Sequence, residues 1–396
     1  MASLYVRRLN AVVAVRAETT PGVDAFGQAG PDPAVDFFRA EVTPNLTQQQ
    51  IPNPETTGSL DAAAPIPGGT RGQVAIGCVL RGSGGAATPP RWGRLMPACT
   101  WEEVVNAAGI AATAATVGGA DRVTLPAPYA AADQTYRGMP VVLRGNPVGP
   151  FVSLISDYTA RIARFVHTFT PPLDTTTTAQ IPPHVLYRPN SDPAAQNTAT
   201  IYYYADGLLW RFTGCAGSWD LDLTAGAIGR INFQMQGQFV GSFAAAVPTG
   251  IVFDGKDQDG RDLQPPVFRD GICRLDRRLA RASRLTVSGG VQLYDPENPE
   301  AVEGYDSSVA TGRQSSGSLD PLMNVTDTLQ RTNDFRNGTA MSLGAALGNR
   351  PGNRFGFVVP QAQLTGSSPT NRNNLLAETL PFSATGINSS LYLTQF

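Results

Sequence analysis

The stretch that decides the fold, residues 198–240, runs TATIYYYADGLLWRFTGCAGSWDLDLTAGAIGRINFQMQGQFV. Asp206-Gly207 separates two apolar runs, which is the strongest short-range signal for a β-hairpin. Residues 219–223 (WDLDL) alternate with a period of two, and so do residues 231–235 (INFQM). Alternation of this kind places apolar side chains on one face of a strand and polar side chains on the other. The stretch therefore predicts long antiparallel strands over one buried face.

The composition extends this prediction to the whole chain. Gly (41) and Pro (32) recur along all 396 residues, as turn residues do between short strands, and no long stretch has a helical period. The fold class is therefore expected to be mainly β. A hydrophobic fraction of 42% allows a large core, and the charged fraction of 16% is below the roughly 25% of average domains. Low charge suits a surface that lies against other copies of the same chain.

Two segments favour helix. Thr100 with Glu103 forms a T-x-x-E capping box, which predicts a helix over residues 101–109. Residues 327–337 predict a second, shorter helix. Residues 92–96 predict a separate helical turn that Pro97 would end.

Two polar stretches, residues 43–70 and 295–316, are predicted to be long loops of the functional kind. The first contains Gly-Ser-Leu-Asp at residues 58–61, and the second leads directly to the same motif at residues 317–320. One interpretation is an internal duplication, in which these motifs are equivalent points. The other is that they are two similar turns.

The duplication implies a domain organisation with two tandem modules. Residues 1–245 form the first module, with an insertion at about residues 88–197. Residues 246–270, rich in Asp, Gly and Pro, are a linker, and residues 271–396 form the second module.

Charge and cysteine usage limit the binding partners and the cellular compartment that the sequence allows. Lys+Arg 30 against Asp+Glu 32 gives a net charge of −2, so tight nucleic-acid binding is not expected. The one basic cluster comprises Arg274, Arg277, Arg278, Arg281 and Arg284. It is interpreted as forming salt bridges between subunits, with contact to DNA or lipid as the alternative. The four cysteines lack CxxC spacing, which favours buried free thiols in a reducing cytoplasm. No apolar window is long enough for a transmembrane helix, so no membrane contact is expected.

Residues with catalytic or metal-binding chemistry are few. The only histidines, His167 and His184, lie in apolar or proline-flanked surroundings and are interpreted as structural. The loop Asp254–Asp262 has two acids with the spacing of a calcium loop, but Arg261 occupies the third acidic position and the closing Glu is missing. A solvated turn is the preferred interpretation. No catalytic, cofactor or metal site is therefore assigned, and no enzymatic activity is expected.

The order of several short motifs resembles the major tail (tail tube) proteins of long-tailed, non-contractile, siphovirus-type bacteriophages. In the central stretch the motifs are Tyr204-Ala205-Asp206-Gly207, Gly214-Cys215-Ala216-Gly217 and Gly237-Gln238-Phe239. The C-terminal motifs are Arg313–Asp320, Gly352-Asn353-Arg354, Pro360-Gln361-Ala362 and Pro381-Phe382-Ser383-Ala384. Ala17–Gly22 near the N-terminus is similar as well.

The resemblance implies a fold and a set of partners. The fold is an antiparallel β-sandwich or barrel of tube modules with a flanking helix and long loops. The chain is expected to be a homo-oligomer, preferably a trimeric ring with pseudo-sixfold symmetry and otherwise a hexamer, stacked on other rings. Tail tip, tape-measure and tail terminator proteins are the implied partners, and DNA passes through the lumen without specific binding.

The location implied is the tail of the virion, after synthesis in the host cytoplasm. Two other functions remain open at this point. One is another virion component, a decoration or spike protein. The other is a secreted carbohydrate-binding β-protein, which would need a signal sequence.

Overall fold

A computed structural model describes residues 6–7, 9–56, 58–61, 63–145, 149–257 and 259–396. The strands before residue 107 are β1 (Ala11–Ala17), β2 (Phe37–Phe38), β3 (Glu41–Ile51), β4 (Ile66–Val79) and β5 (Trp101–Asn106). The next seven are β6 (Ile110–Ala114), β7 (Val117–Gly118), β8 (Arg122–Thr124), β9 (Pro140–Arg144), β10 (Phe151–Thr159), β11 (Ile162–Phe165) and β12 (Thr178–Ile181).

The long central strands follow. They are β13 (His184–Pro189), β14 (Ala199–Ala205), β15 (Leu208–Thr224) and β16 (Arg230–Ala244). The C-terminal part holds β17 (Ile272–Leu275), β18 (Arg278–Leu279), β19 (Ala282–Ser288), β20 (Val291–Tyr294), β21 (Val309–Arg313), β22 (Ser316–Pro321), α1 (Val325–Arg336), β23 (Ala340–Leu347), β24 (Phe355–Leu364), β25 (Ser368–Arg372), β26 (Leu375–Ala384) and β27 (Tyr392–Gln395). Short 3-10 helices cover Gly27–Ala29, Arg91–Leu95, Pro97–Cys99 and Pro193–Ala195.

The predicted hairpin at Asp206-Gly207 is confirmed. β14 and β15 pair antiparallel with Ala205 opposite Leu208. Both turn residues have positive φ (45° and 100°), as a type I′ turn requires. Asp and Gly tolerate this backbone, so the local sequence alone determines where the chain reverses.

Eight antiparallel strands form one continuous layer, in the order β3-β4-β16-β15-β19-β22-β26-β25. We call it the eight-strand layer. β15 connects its two halves, because the end of β15 pairs with both β16 and β19. The first half of β15 instead pairs with β14, which continues to β1 and β2. The long strand β15 therefore belongs to two layers, and the predicted mainly β, antiparallel fold is confirmed.

The second layer also contains β5-β13-β27-β24-β23-β17. Side chains from both layers meet in one apolar core. Near its centre Trp101 and Trp219 are both fully buried, with ring centroids 5.2 Å apart in an edge-to-face arrangement. Such aromatic contacts contribute beyond the apolar area that they bury. The arrangement is consistent with a β-sandwich.

Residues 110–181 form a separate seven-stranded sheet, in the order β6-β12-β9-β10-β11-β8-β7. This sheet lies within the segment expected to be an insertion. It has its own apolar cluster, which includes Tyr129, Tyr158 and Phe165. The cluster also contains Val358 and Tyr392, so the sheet packs against β24 and β27. The flanking strands β5 and β13 belong to the main sandwich.

The predicted helix over residues 101–109 is wrong, because this segment is strand β5. Thr100 has φ +68°, in the left-handed region, whereas an N-cap residue needs extended backbone. Trp101 is fully buried, and the strand pairs along β13. Glu103, which suggested the capping box, instead accepts from the Tyr187 hydroxyl of that partner at 2.9 Å, and the neighbouring Glu102 pairs with Arg188.

The flanking helix exists, but it is α1. Its N-cap residue Asn324 accepts a hydrogen bond from the backbone N–H of Asp327 at 2.8 Å. The predicted short helix over residues 327–337 is therefore confirmed, and so is the helical turn before Pro97.

The predicted loops over residues 43–70 and 295–316 are too long. Much of the first is strand, in β3 and β4, which pair from Glu41 to Ile51. The second contains β21. Threonine and glutamine, which made these segments look like loops, are accepted in strands when a partner strand provides the hydrogen bonds.

The two Gly-Ser-Leu-Asp motifs have different structures. In the first, at residues 58–61, Leu60 is fully exposed between β3 and β4. In the second, Leu319 is 1% exposed in the centre of β22. The motifs are therefore not equivalent points of two repeats.

The remaining structural expectations concern thiols and membranes. Cys78, Cys99 and Cys215 are buried and Cys273 is half-buried, and all four are free, as predicted. No helix in the described part of the chain has the length and apolar character needed to cross a membrane.

Candidate functional site: a polar sheet face between two open edges

The eight-strand layer has one apolar face and one polar face. In β15, Trp219, Leu221 and Leu223 point into the core and are at most 1% exposed. Asp220 and Asp222, between them, point to the opposite face, because successive side chains of a strand alternate. The alternation that the sequence displays thus defines a polar face on the outside of the layer.

The strand registers show which side chains share this polar face. Asp220 lies opposite Asn232 and Ser288, and Thr286 lies opposite Ser318. The set is mostly neutral amides and hydroxyls: Asn45, Gln73, Ser218, Thr224, Asn232, Gln234, Gln236, Thr286, Ser288, Ser316, Ser318 and Ser383. Such groups bind water well and give the face little net charge.

Three arginines of the polar face, Arg284, Arg372 and Arg230, are paired with acids. Arg284 contacts Asp222 through two hydrogen bonds, Nε to Oδ1 at 3.0 Å and Nη2 to Oδ2 at 2.7 Å. This hydrogen bonding to Asp222 raises the pKa of Arg284. Arg372 contacts Asp320 at 3.0 Å, and Arg230 lies 3.7 Å from a Glu41 oxygen. Paired charges leave little positive potential with which to hold a polyanion.

The two outermost strands of the layer have open edges. Among the described residues, β3 pairs only with β4, and β25 pairs only with β26. Apolar side chains near these edges are exposed: Leu46 on β3 is 42% exposed and Leu376 on β26 is 62% exposed. An open edge with exposed apolar side chains favours pairing with another chain.

A docked loop covers part of the layer. Residues 295–308, between β20 and β21, lie in the second of the two polar stretches, and we call this loop the second tip. Its Tyr305 hydroxyl donates to Gln49 Oε1 at 2.7 Å, and the Arg71 guanidinium lies 4.1 Å from the Tyr305 ring centroid. The Asp295 carboxylate, 5% exposed, accepts from Gln236 Nε2 at 2.5 Å and pairs with Arg71 at 3.2 Å. The second tip therefore fastens the C-terminal half of the layer onto β4 and β16.

The segment Ala17–Gly22, noted for its resemblance, has a definite structural role. Glu18 is 3% exposed, and its carboxylate accepts hydrogen bonds from the Thr198 and Thr200 hydroxyls and from the N–H groups of Gly22 and Gly214. A buried carboxylate with four donors is well satisfied. It fastens the N-terminal loop to β14 and β15. Nothing in the local sequence around Glu18 indicated these distant donors.

The two histidines lie in separate buried environments. His167 is 4% exposed, and its Nδ1 lies 3.0 Å from the Ser153 hydroxyl. Burial lowers the pKa of His167 to about 4, with a smaller contribution from Arg274. His184, in β13, donates from Nδ1 to the Pro182 carbonyl oxygen at 2.8 Å, and burial lowers its pKa as well. Both imidazoles are therefore neutral near pH 7.

The acidic loop Asp254–Asp262 folds as a turn over its described residues. Asp257 Oδ1 accepts from the backbone N–H groups of Asp259 and Arg261. Lys256 and Asp262 form an isolated bridge across the turn. In the described part of the chain, no group of three or more His, Cys, Asp or Glu side chains is placed to hold a metal ion.

The structure also places the basic cluster of residues 274–284 and three consecutive tyrosines of β14. Three of the five clustered arginines pair with acids of the same chain: Arg277 with Asp121, Arg278 with Asp327 and Arg284 with Asp222. The expectation of salt bridges between subunits is therefore replaced by internal pairs for these three. The three consecutive tyrosines Tyr202, Tyr203 and Tyr204 of β14 are each at most 7% exposed.

A protein-family model described as phage tail tube protein matches residues 9–384 of this chain. No curated protein matches it.

Proposed function

Because the chain belongs to the phage tail tube protein family, we propose that it polymerises into stacked rings that form the tail tube and conduct DNA during ejection. The protein is a structural component of the virion tail. The observation that carries the proposal is the eight-strand layer, whose polar face lies between two open edges. Heterologous edges that close generate a ring, and rings that stack without closing generate a tube.

We further infer that one chain supplies two tube modules. The order β3-β4-β16-β15-β14 in the first part corresponds strand for strand to β19-β22-β26-β24-β23 in the second. In each part a helical segment follows the second of these strands, at residues 91–99 and in α1. The sheet order therefore supports the duplication that the Gly-Ser-Leu-Asp motifs do not. The module boundaries at residues 1–245 and 271–396, with a linker between them, remain part of the proposal.

Two modules per chain favour a trimeric ring with pseudo-sixfold symmetry over a hexamer. The polar face then lines the lumen, where amides, hydroxyls and paired charges let DNA pass without binding it. Tail tip, tape-measure and tail terminator proteins are the partners expected at the ends and inside such a tube. The role is mechanical, and no catalytic residue, metal or cofactor is assigned. A non-contractile tail is the preferred context.

Electron microscopy of the purified protein, together with native mass spectrometry, tests the assembly. We expect rings that stack into hollow tubes and a ring mass of three 41.8 kDa chains. A mass of six chains would replace the trimer by the hexamer. A monomer that forms neither rings nor tubes at high concentration would contradict the proposal and favour a decoration or spike protein, and binding in a glycan screen would favour the carbohydrate-binding alternative.

A lysine placed on the polar face tests the lumen assignment. Gln234→Lys adds an unpaired positive charge to β16 where the side chain is exposed. We expect phage particles with this variant to assemble normal tails but to release DNA several-fold more slowly, because cations bind phosphates. Gln234→Glu is the matched control and should release DNA at the normal rate. Equal release rates for both variants would exclude this face as the lumen.

A further inference from the structure

We infer that the open edge of β25 in one copy pairs antiparallel with the open edge of β3 in the next copy, with Thr370 opposite Thr47. This contact would repeat between copies the β15–β19 junction that joins the two halves within one chain. The inference rests on the proposed function, because it names the surfaces through which the ring closes.

The junction inside the chain provides the template. β15 and β19 pair antiparallel from Asp220 opposite Ser288 to Thr224 opposite Arg284. The apolar side chains on the core face of this junction are buried: Leu221 and Val287 are each 1% exposed. The chain thus already contains one complete example of a module-to-module strand contact.

Two glycines align the modules. Gly72 in β4 and Gly317 in β22 each precede a polar and then a buried apolar residue. A Cβ on Gly72 would lie 2.6 Å from the Phe212 ring, and a Cβ on Gly317 would lie 2.5 Å from the Phe382 ring. Each glycine leaves space for a phenyl ring on the core face of its strand, although the ring comes from β15 beside Gly72 and from β26 beside Gly317. Aligning them gives the residue correspondence between the two halves of the layer.

The registers extend this alignment to the edges. Leu46 of β3 lies opposite Gly72, as Val287 of β19 lies opposite Gly317, so Leu46 corresponds to Val287. The β22–β26–β25 registers place Thr370 where Asp220 lies in the first half. Since Asp220 faces Ser288, and Thr47 corresponds to Ser288, Thr370 should face Thr47 of the next copy.

Burial differs between the corresponding positions as the inference requires. Val287 is 1% exposed, whereas its counterpart Leu46 is 42% exposed. Ile231 is fully buried, whereas its counterpart Leu376 is 62% exposed. In both pairs the exposed member lies beside an open edge. A second copy of this chain is the partner that would give these edges the cover that their counterparts have inside the chain.

Strand direction is compatible with closure. All seven strand pairs of the eight-strand layer are antiparallel. With an even number of strands, β25 at one end runs opposite to β3 at the other. Copies joined edge to edge therefore continue the same antiparallel pattern around a ring without a parallel pair.

Cysteine cross-linking tests the contact. The variant carrying Thr47→Cys and Thr370→Cys places thiols on facing strands, at separations within the range of a disulfide. After assembly and mild oxidation, we expect covalently closed oligomers on non-reducing gels. The native thiols should contribute little background, because burial raises the pKa of Cys273 to about 12 and raises those of Cys78, Cys99 and Cys215 as well. The control carries Thr47→Cys with Ala112→Cys, on the exposed part of β6, and should remain uncross-linked.

Charge substitutions cover the case in which the cysteine variant fails to assemble. Thr47→Asp with Thr370→Asp should prevent ring formation, whereas Thr47→Lys with Thr370→Asp should assemble. Tubes that form without cross-links, or charge variants that assemble equally well, would overturn this edge assignment while leaving the tube function intact. Failure of the unmodified protein to form rings would instead contradict the proposed function.

Discussion

The β15–β19 junction and the open edges of β3 and β25 are parts of one layer with opposite surroundings. At the junction, Leu285 and Val287 are at most 1% exposed. At the edges, Leu46 and Leu376 are 42% and 62% exposed. Residues of the same chemical type thus lie in the interior at one place and in water at the other. The difference shows that the neighbouring strand, rather than the residue itself, determines burial.

This difference has an energetic consequence. Full burial of a leucine side chain stabilises a protein by roughly 1.5–3 kcal/mol relative to exposure. The junction realises this gain within a single chain, whereas in the proposed ring the edges would realise it against a second copy. In that ring the same kind of surface would stabilise the monomer at the junction and the assembly at the edges.

The largest effect is expected on monomer stability, where substitutions at the junction and at the edge should differ most. Leu285→Ala at the junction should lower the free energy of unfolding of the monomer by roughly 2–5 kcal/mol, because it leaves a cavity beside β15. Leu46→Ala at the edge should change it by less than about 0.5 kcal/mol, because that side chain is partly exposed. Urea unfolding at concentrations where the chain is monomeric measures both values.

The assembly of the same variants sharpens the comparison. Leu46→Ala should weaken ring formation, measured by the protein concentration at which rings appear. A large loss of monomer stability with Leu46→Ala, together with unchanged assembly, would reverse the roles assigned to the junction and the edge.

An intermediate effect is expected at the second tip, which is bound to β4 and β16. Asp295→Ala removes the acceptor for Gln236, Arg71 and the Ser308 hydroxyl. Unpaired polar groups of this kind cost about 1–3 kcal/mol, and the loss should appear in urea unfolding. The tip should also become more sensitive to a glutamate-specific protease, at Glu303. Glu297→Gln is the control, because the Glu297 carboxylate accepts from the Tyr294 hydroxyl of the adjacent strand β20 and not from β4 or β16.

The smallest effect is expected for the ion pair on the polar face. The Arg284 side chain is 56% exposed, and an exposed pair contributes only about 0.2–1 kcal/mol. Arg284→Gln should therefore leave the monomer almost as stable as before. A double-mutant cycle with Asp222→Asn measures the coupling, and a value well above 1 kcal/mol would show that this pair helps to hold the junction closed.

Local signals in the sequence predicted several elements correctly. The Asp206-Gly207 turn, the helix α1 and the polar and apolar faces of β15 and β16 all follow from residues within a few positions of each other. The capping-box signal at Thr100 was equally local but wrong. Pairing with β13, some eighty residues further along, outweighed a weak helical preference. The polar segments of β3 and β4 became strands for the same reason.

The polar face of the candidate site was largely predictable from the sequence, but its edges were not. The period-two pattern indicates which side chains of a strand share a face, because that depends only on the pleat. It does not indicate which strand lies next to which. The correspondence between Gly72 and Gly317 became visible only in the folded structure, where a phenyl ring lies against each of them.

The sequence by itself determined the fold class, the turn at Asp206-Gly207 and the two-faced character of the central strands, because these depend on backbone geometry and on the spacing of near neighbours. Only the tertiary structure decided that β15 would meet β19 and that β3 and β25 would be left open. The choice of a partner strand rests on packing between residues far apart in the chain. No local pattern records that packing.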